Sequence, residues 1–155
     1  MATAKTKRKD SAYVVDGSAD EEDELVLLAI CAAESDTRMA WLLNRALHLD
    51  FVHYDDVAVP VATEAGEATP QLLALFSAAS AALKCTCILI ANRYGQALLV
   101  KELPQVDFLL KVPRALRKEE ADALCAAIRA IPSVSACLVA PPKLNGHPLL
   151  VGIEG

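Results

Sequence analysis

The chain has 155 residues, of which 54% are hydrophobic and only 5% aromatic, and its formal net charge is −5 at pH 7. This length suits one domain around a single aliphatic core and is short for two. No apolar run reaches the roughly 18 residues of a membrane span, and no broad basic face for nucleic acid is expected. The composition therefore predicts a cytoplasmic protein that binds neither membrane nor nucleic acid.

Charge is concentrated in the first residues of the chain. The first 24 residues hold four basic and seven acidic residues, and only Tyr13–Val15 offer apolar side chains for a core. The basic residues are Lys5, Lys7, Arg8 and Lys9, and the acidic ones are Asp10, Asp16, Asp20, Glu21, Glu22, Asp23 and Glu24. So little apolar surface cannot offset the cost of ordering a chain. We expect residues 1–23 to be a disordered charged leader and residues 24–155 to be a single domain.

The first ordered segments are a strand and the clearest helix. Residues 25–30 form a continuous apolar run of strand length. Residues 35–37 then supply side-chain oxygens that suit a helix N-terminus. The apolar positions that follow at helical spacing are Met39, Leu42, Leu43, Ala46 and Leu47. Trp41 and Asn44 lie off the centre of that stripe, so the indole is expected to bridge the core edge and solvent, and a structural role is favoured for both.

The middle of the chain is rich in strand-forming residues. Residues 51–59 have the β-branched and aromatic content of a strand, which Pro60 is expected to close, and residues 61–70 resemble an exposed loop. Residues 71–80 are ambiguous, because an alanine-rich run also favours helix.

A turn signal separates the next two runs. Residues 83–91 are followed by Asn92–Gly95 and then by residues 96–100, which predicts a hairpin. Pro104 breaks the chain, and residues 106–112 resume as a strand. The stretch Val100–Val112 is therefore interpreted as two buried strands around a proline turn.

The last elements alternate helix and strand. Residues 116–131 carry apolar side chains on one helical face, with three carboxylates near the start, where the helix dipole favours anions. Residues 134–140 are predicted to be the last major strand. An Asn145–Gly146 turn leaves residues 149–153 as a possible short edge strand.

The order of these elements predicts the fold class. Two strand-helix-strand units, residues 25–59 and 106–140, flank an all-strand middle. We predict an α+β fold with a mainly antiparallel sheet and two helices on one face, ferredoxin-like in its order of βαβ, hairpin and βαβ. An open sheet has edges, so a homodimer is expected.

Three stretches together resemble a known family. They are Leu27–Cys31, Asp36–Leu47 and Val100–Phe108. In this order they resemble the IPExxxVDY family, small bacterial proteins of the Bacteroidetes lineage without an established activity. Lys101 stands in place of the family's proline and Phe108 in place of its tyrosine. The absence of that hydroxyl argues against chemistry that would need it.

The resemblance covers residues 25–153 and implies a fold more than a function. It favours strand over helix for residues 71–80. It also implies a bacterial cytoplasmic protein.

Candidate chemistry is limited to carboxylates and thiols. Asp55, Asp56, Glu102 and Asp107 would bind a divalent cation or a basic partner if they converged, whereas solvated carboxylates at strand ends are the simpler interpretation. Asp107 has a further structural alternative, in which it accepts turn amides beside Pro104 and fixes the start of the strand.

The five cysteines lie in apolar contexts, so buried free thiols are expected rather than disulfides. The Cys85–Cys87 spacing puts two thiols on one strand face, where core packing is favoured over a metal or redox site. No phosphate-binding glycine loop, nucleophile elbow or paired histidines are present. The sequence therefore predicts no catalytic residues, metal or cofactor.

Two functions follow as hypotheses. The first is a non-enzymatic interaction or adaptor protein that binds another protein, or itself, through a sheet edge or the Trp41 region. Its interaction candidates are Trp41, Asn44, Glu102 and Asp107. The alternative is a dimeric regulatory domain that senses a small metabolite between subunits or at the Pro104 turn.

Overall fold

The structure is a computed structural model that describes residues 25–62, 68–95 and 97–147. The expected disordered leader and the edge strand at residues 149–153 lie outside these residues. The described elements are β1 (Val26–Ala32), α1 (Asp36–Leu47), β2 (Val52–Ala62), β3 (Ala68–Ser80), β4 (Cys85–Ala91), β5 (Arg93–Tyr94), β6 (Ala97–Leu98), β7 (Phe108–Val112), α2 (Lys118–Arg129), β8 (Val134–Val139) and a 3-10 helix (Pro142–Gly146).

Six strands form the main sheet in the order β2-β3-β4-β7-β1-β8, and every neighbouring pair is antiparallel. The predicted α+β class, with two helices and an antiparallel sheet, is confirmed. The ferredoxin-like order is not what the strands show, because both their number and their order differ. The β7-α2-β8 connection passes one strand, as in a split βαβ unit, but the β1-α1-β2 connection passes three.

Both predicted helices are confirmed, and each has a capping contact. At α1, the Ser35 side chain accepts a hydrogen bond from the Arg38 amide at 3.2 Å, which satisfies a donor that the helix leaves free. The helix ends at Leu47, and the next residue, His48, has a left-handed φ of 55°. At α2, a carboxylate oxygen of Glu120 accepts from the Arg117 amide at 3.0 Å.

The helices lie on one face of the sheet. α2 packs against β8, and α1 packs against α2. All five residues of β7 are nevertheless buried, so both faces of the central strands are covered. Buried apolar side chains outside the sheet, among them Leu99, Val106 and Leu144, belong to the same core.

The predicted loop at residues 61–70 is wrong at both ends. β2 continues through Pro60, which pairs with Pro70 of β3. Proline is tolerated at these positions because β2 is an edge strand, and β3 pairs with β4 only from Leu75 onward. The strand interpretation of residues 71–80 is confirmed, and the two strands form one long hairpin.

Candidate functional site

Asn92 is a buried polar residue that organises the segment after β4. Its side-chain amide donates to the carbonyl oxygens of Leu103 at 3.1 Å and Val106 at 2.8 Å. Its side-chain oxygen accepts from the Val100 amide at 2.9 Å. These three bonds satisfy buried backbone groups of a segment that has no strand ladder to do so.

The predicted hairpin of residues 83–91 with residues 96–100 is therefore wrong. β4 pairs with β7 instead, and Val100 lies outside any strand. Only Phe108–Val112 of the Val100–Val112 stretch is a strand. A turn does occur near the expected place, but it lies between the two-residue strands β5 and β6 and includes Gly95 at φ 59°.

Asp107 joins the end of β1 to the start of β7. One carboxylate oxygen accepts from the Ala32 amide at 2.9 Å, and the Asp107 amide donates to the Ile30 carbonyl at 3.0 Å. The other oxygen lies 3.6 Å from Nε of Arg93, whose guanidinium also donates to the Pro104 carbonyl at 3.0 Å. Asp107 thus fixes the start of the strand as expected, although its acceptor role is toward β1 and not toward turn amides beside Pro104.

Replacing Asp107 by alanine is expected to lower the free energy of unfolding by about 1–3 kcal/mol, because a half-buried amide loses a charged acceptor. Urea denaturation measures this change. The control is Asp122→Ala, which removes only an exposed pair with Lys118 on α2 and is expected to cost less than about 0.5 kcal/mol. An Asp107→Ala midpoint equal to that of the control would contradict the structural role.

The four candidate carboxylates have separate partners. Glu102 lies 3.4 Å from His147, and Asp56 lies 2.9 Å from His53. β2, which carries Asp55 and Asp56, is three strand spacings from β7, roughly 14 Å at the usual distance between strands. Among the described residues, no group of three or more His, Cys, Asp or Glu side chains could hold a metal ion. The carboxylates therefore do not form the single site that the sequence left open.

The His53–Asp56 pair predicts a pH effect. The hydrogen bond to the Asp56 carboxylate raises the pKa of His53 above its ordinary value, since it favours the charged imidazole. A raised folded-state pKa stabilises the fold below the unfolded pKa of about 6.5, and this stabilisation is lost as pH rises through the folded pKa. An NMR titration should place the His53 midpoint above about 6.5. Asp56→Asn should lower that midpoint, and an unchanged midpoint in the variant would show that the pair does not form in solution.

The cysteines behave as packing residues. All five are free, and Cys87, Cys125 and Cys137 are buried, so the expectation of buried thiols without disulfides is confirmed for these three. Cys31 and Cys85 are half-buried. Burial, with smaller contributions from Cys85 and Cys125 respectively, raises the pKa of Cys87 and of Cys137 to about 12. Because the thiolate is the reactive and metal-binding form, these two thiols are inert near neutral pH.

Asn44 has the structural role that the sequence favoured. Its side-chain oxygen accepts from the Phe51 amide at 2.6 Å, and its amide donates to the Phe51 carbonyl at 3.3 Å. These bonds attach the end of α1 to the start of β2.

Trp41 is an exposed aromatic residue on α1. Its side chain is 45% exposed, although it is the only tryptophan of the chain. The guanidinium carbons of Arg38 and Arg45 lie 4.5 Å and 4.8 Å from the ring centroid, within cation–π range. These residues stand three before and four after Trp41, so helical spacing brings them to the same ring. We call Arg38, Trp41 and Arg45 the basic-aromatic patch.

A cleft of about 120 Å³ lies where the start of α1 meets β3, and we call it the α1 cleft. Apolar side chains line it, among them Ala74, Ala91 and Phe108. Two further lining residues, Leu72 and Tyr94, are 58% and 63% exposed.

The charged residues at the α1 cleft are Glu34, Asp36 and Arg93. Arg93 is paired with Asp107, so the charge that remains at the cleft is acidic. The sequence did not reveal this site, because its residues come from four separate parts of the chain.

Both edges of the sheet carry features that oppose strand addition. On β2, the register shifts between His53 and Asp55, and Pro60 lacks an amide hydrogen. On β8, a guanidinium nitrogen of Arg129 donates to the Cys137 carbonyl at 2.9 Å. Bulges, prolines and capped edge groups are the usual ways in which proteins prevent edge pairing.

Comparison with known proteins adds no relative: no family model, no curated protein and no solved structure matches this chain. The resemblance to the IPExxxVDY family stays a prediction. Within the described residues, no helix is long and apolar enough to cross a membrane.

Proposed function

We propose that this protein is a non-enzymatic interaction module that binds an acidic segment of a partner protein through the basic-aromatic patch. The observation that carries the proposal is Trp41, which is half-exposed and contacts two guanidinium groups on an outer surface of α1. The homodimer expected from the sequence is a special case in which the partner is a second copy.

The chemistry of the patch supports protein binding. Tryptophan and arginine are among the residues enriched at the interface positions that dominate binding energy. Covering an exposed indole removes apolar surface from water, and a guanidinium can donate two parallel hydrogen bonds to one carboxylate. Arg38 and Arg45 also have no carboxylate partner in the described part of the chain, so their donors remain available to a partner.

The other surfaces support this choice over the alternatives. The features on β2 and β8 disfavour docking through a sheet edge. The α1 cleft, at about 120 Å³, is smaller than the roughly 300–1,000 Å³ of pockets that enclose drug-sized ligands. It therefore suits a single side chain of a protein better than a whole metabolite.

The test is affinity purification of the tagged full chain from native lysate, followed by titration with the purified partner. Trp41→Ala is expected to weaken binding by about 2 kcal/mol or more, a factor of roughly 30. Raising the salt concentration should also weaken it, because two arginines contribute.

Leu138→Ala is the matched control, since it also removes a large exposed apolar side chain, but on β8 and outside both the patch and the α1 cleft. Its effect on partner binding should be less than about threefold, or about 0.7 kcal/mol. If wild type retains no stoichiometric partner, or if Trp41→Ala binds as tightly as wild type, the proposed function is wrong.

A further inference from the structure

Two surfaces of opposite character follow each other along α1. The basic-aromatic patch spans positions 38 to 45, and the α1 cleft lies at the beginning of the helix with the carboxylates Glu34 and Asp36. Followed from the end of α1 to its start, the basic-aromatic patch comes first, and the apolar cleft with its acidic rim comes second.

Residues 1–24 carry the complementary order when followed backward from β1. Residues 16–24 are predominantly acidic, Tyr13–Val15 are apolar, and the basic residues lie at positions 5–9. If this segment ran along α1 from the end of the helix to its start, its acidic run would lie on the basic-aromatic patch. Tyr13–Val15 would then lie at the apolar cleft, and the basic residues would lie near the carboxylates at its rim.

The topology places the start of β1 at the correct end of the helix. β1 and β2 are parallel, because four antiparallel pairings connect them across the sheet. α1 must therefore return to the end of the sheet where β1 begins, and Arg45 lies near that end. The chain before Leu25 consequently meets the basic-aromatic patch before it meets the α1 cleft.

The segment is long enough to reach the cleft. The distance from Leu25 to the α1 cleft has two components. Along the strand, Leu25 to Ala32 spans about 26 Å, and across the sheet four strand spacings add about 19 Å at most. The direct distance is therefore roughly 32 Å. The stretch from Tyr13 to Leu25, if extended, spans about 40 Å.

We propose that residues 5–24 bind along α1 of their own domain, with the acidic run on the basic-aromatic patch and Tyr13–Val15 in the α1 cleft. Because the segment is tethered, its effective concentration is in the millimolar range for a short linker, so individually weak contacts suffice. Docking also covers the basic-aromatic patch, so the segment would compete with the partner for it. This competition rests on the proposed function, whereas the docking itself does not. A partner would have to displace the segment before binding.

The first experiment measures the accessibility of Trp41, the only tryptophan, in the full chain. Replacing the six acidic residues of positions 16–24 by their amides should raise the constant for acrylamide quenching of Trp41 fluorescence about twofold. Acrylamide is neutral, so the charge change does not itself attract or repel it. Amide replacement of Glu119 and Asp122 on α2 is the control and should leave the constant unchanged. Equal constants in the six-site variant and wild type would overturn the proposal.

The second experiment locates Tyr13. The full chain is made with the photo-reactive residue p-benzoylphenylalanine at position 13 and irradiated, and the crosslinked peptides are identified by mass spectrometry. Crosslinks within one chain to peptides that contain Leu72 or Tyr94 are expected. Crosslinks to other surfaces, crosslinks only between two copies, or no crosslinks would each contradict docking within the chain.

These outcomes separate the two proposals. If residues 5–24 dock but Trp41→Ala has no effect on any bound protein, only the proposed function fails. If a partner depends on Trp41 while quenching is unchanged in the six-site variant, only the docking of this segment fails. If both hold, the six-site variant should bind the partner more tightly than wild type.

Discussion

Replacing Asn92 by alanine is expected to lower the free energy of unfolding by about 3–6 kcal/mol. The substitution leaves two buried backbone groups without a side-chain partner, the Val106 carbonyl and the Val100 amide. It also removes one of two donors from the half-buried Leu103 carbonyl, which keeps the Val106 amide at 3.2 Å. Each unsatisfied buried group costs about 1–3 kcal/mol, and the small side chain also leaves a cavity. Against a typical total stability of about 5–15 kcal/mol, this loss removes a large fraction of the free energy that holds the fold.

Urea denaturation followed by circular dichroism measures the effect. Asn145→Ala is the matched control, because the Asn145 amide also donates to the backbone of another element, the Leu25 carbonyl at 2.9 Å, but from a half-buried position. We expect the control to lose about 1–2 kcal/mol. If Asn92→Ala loses no more than the control, the hydrogen-bond network around residues 99–107 does not hold the core as the structure indicates.

Elements with a local signal could be predicted from the sequence. α1 is found because oxygen-bearing side chains precede an apolar stripe, and the structure shows the Ser35 contact and the burial of Met39 and Leu43. α2 is found for the same kind of reason, although it starts at Lys118 rather than at 116. In both, the signal and its physical cause lie within one or two turns of helix.

Features that depend on distant contacts could not be predicted. The sequence suggests a turn at Asn92, since asparagine favours turns, but its partners are eight to fourteen residues away. Pro60 suggests a strand end, and only its place on an edge strand permits β2 to continue. The strand order could not be predicted from the sequence either. Because β4 pairs with β7, three strands lie between β1 and β2, and no local pattern shows this pairing.

The candidate site divides in the same way. The exposure of Trp41 follows from its place off the apolar stripe, which the sequence shows. Its contacts with Arg38 and Arg45 are seen only in the structure, and they give the patch the positive charge that favours an acidic partner. The α1 cleft required the three-dimensional arrangement of α1, β3, β5 and β7. Asp107 was singled out from the sequence, whereas its acceptor role toward Ala32 follows only from the pairing of β1 with β7.

Leu110→Ala is expected to lower the free energy of unfolding by about 3–5 kcal/mol. Leu110 lies at the centre of the sheet, where it pairs with Leu28 of β1 and Leu89 of β4 and is 1% exposed. Truncation there loses apolar burial and leaves a cavity, because strands on both sides prevent the core from collapsing into the space. The loss should also appear in the unfolding rate when folding and unfolding kinetics are measured together.

Leu138→Ala provides the matched control. Leu138 is also a strand leucine, but it lies on the edge strand β8 and is 55% exposed, so its truncation should cost less than about 1 kcal/mol. The ratio of the two losses tests the strand order itself: a central β7 and an edge β8 require a severalfold difference. Equal losses would mean that β7 does not lie between β4 and β1, and the placement of α1, its cleft and its basic-aromatic patch would then be wrong as well.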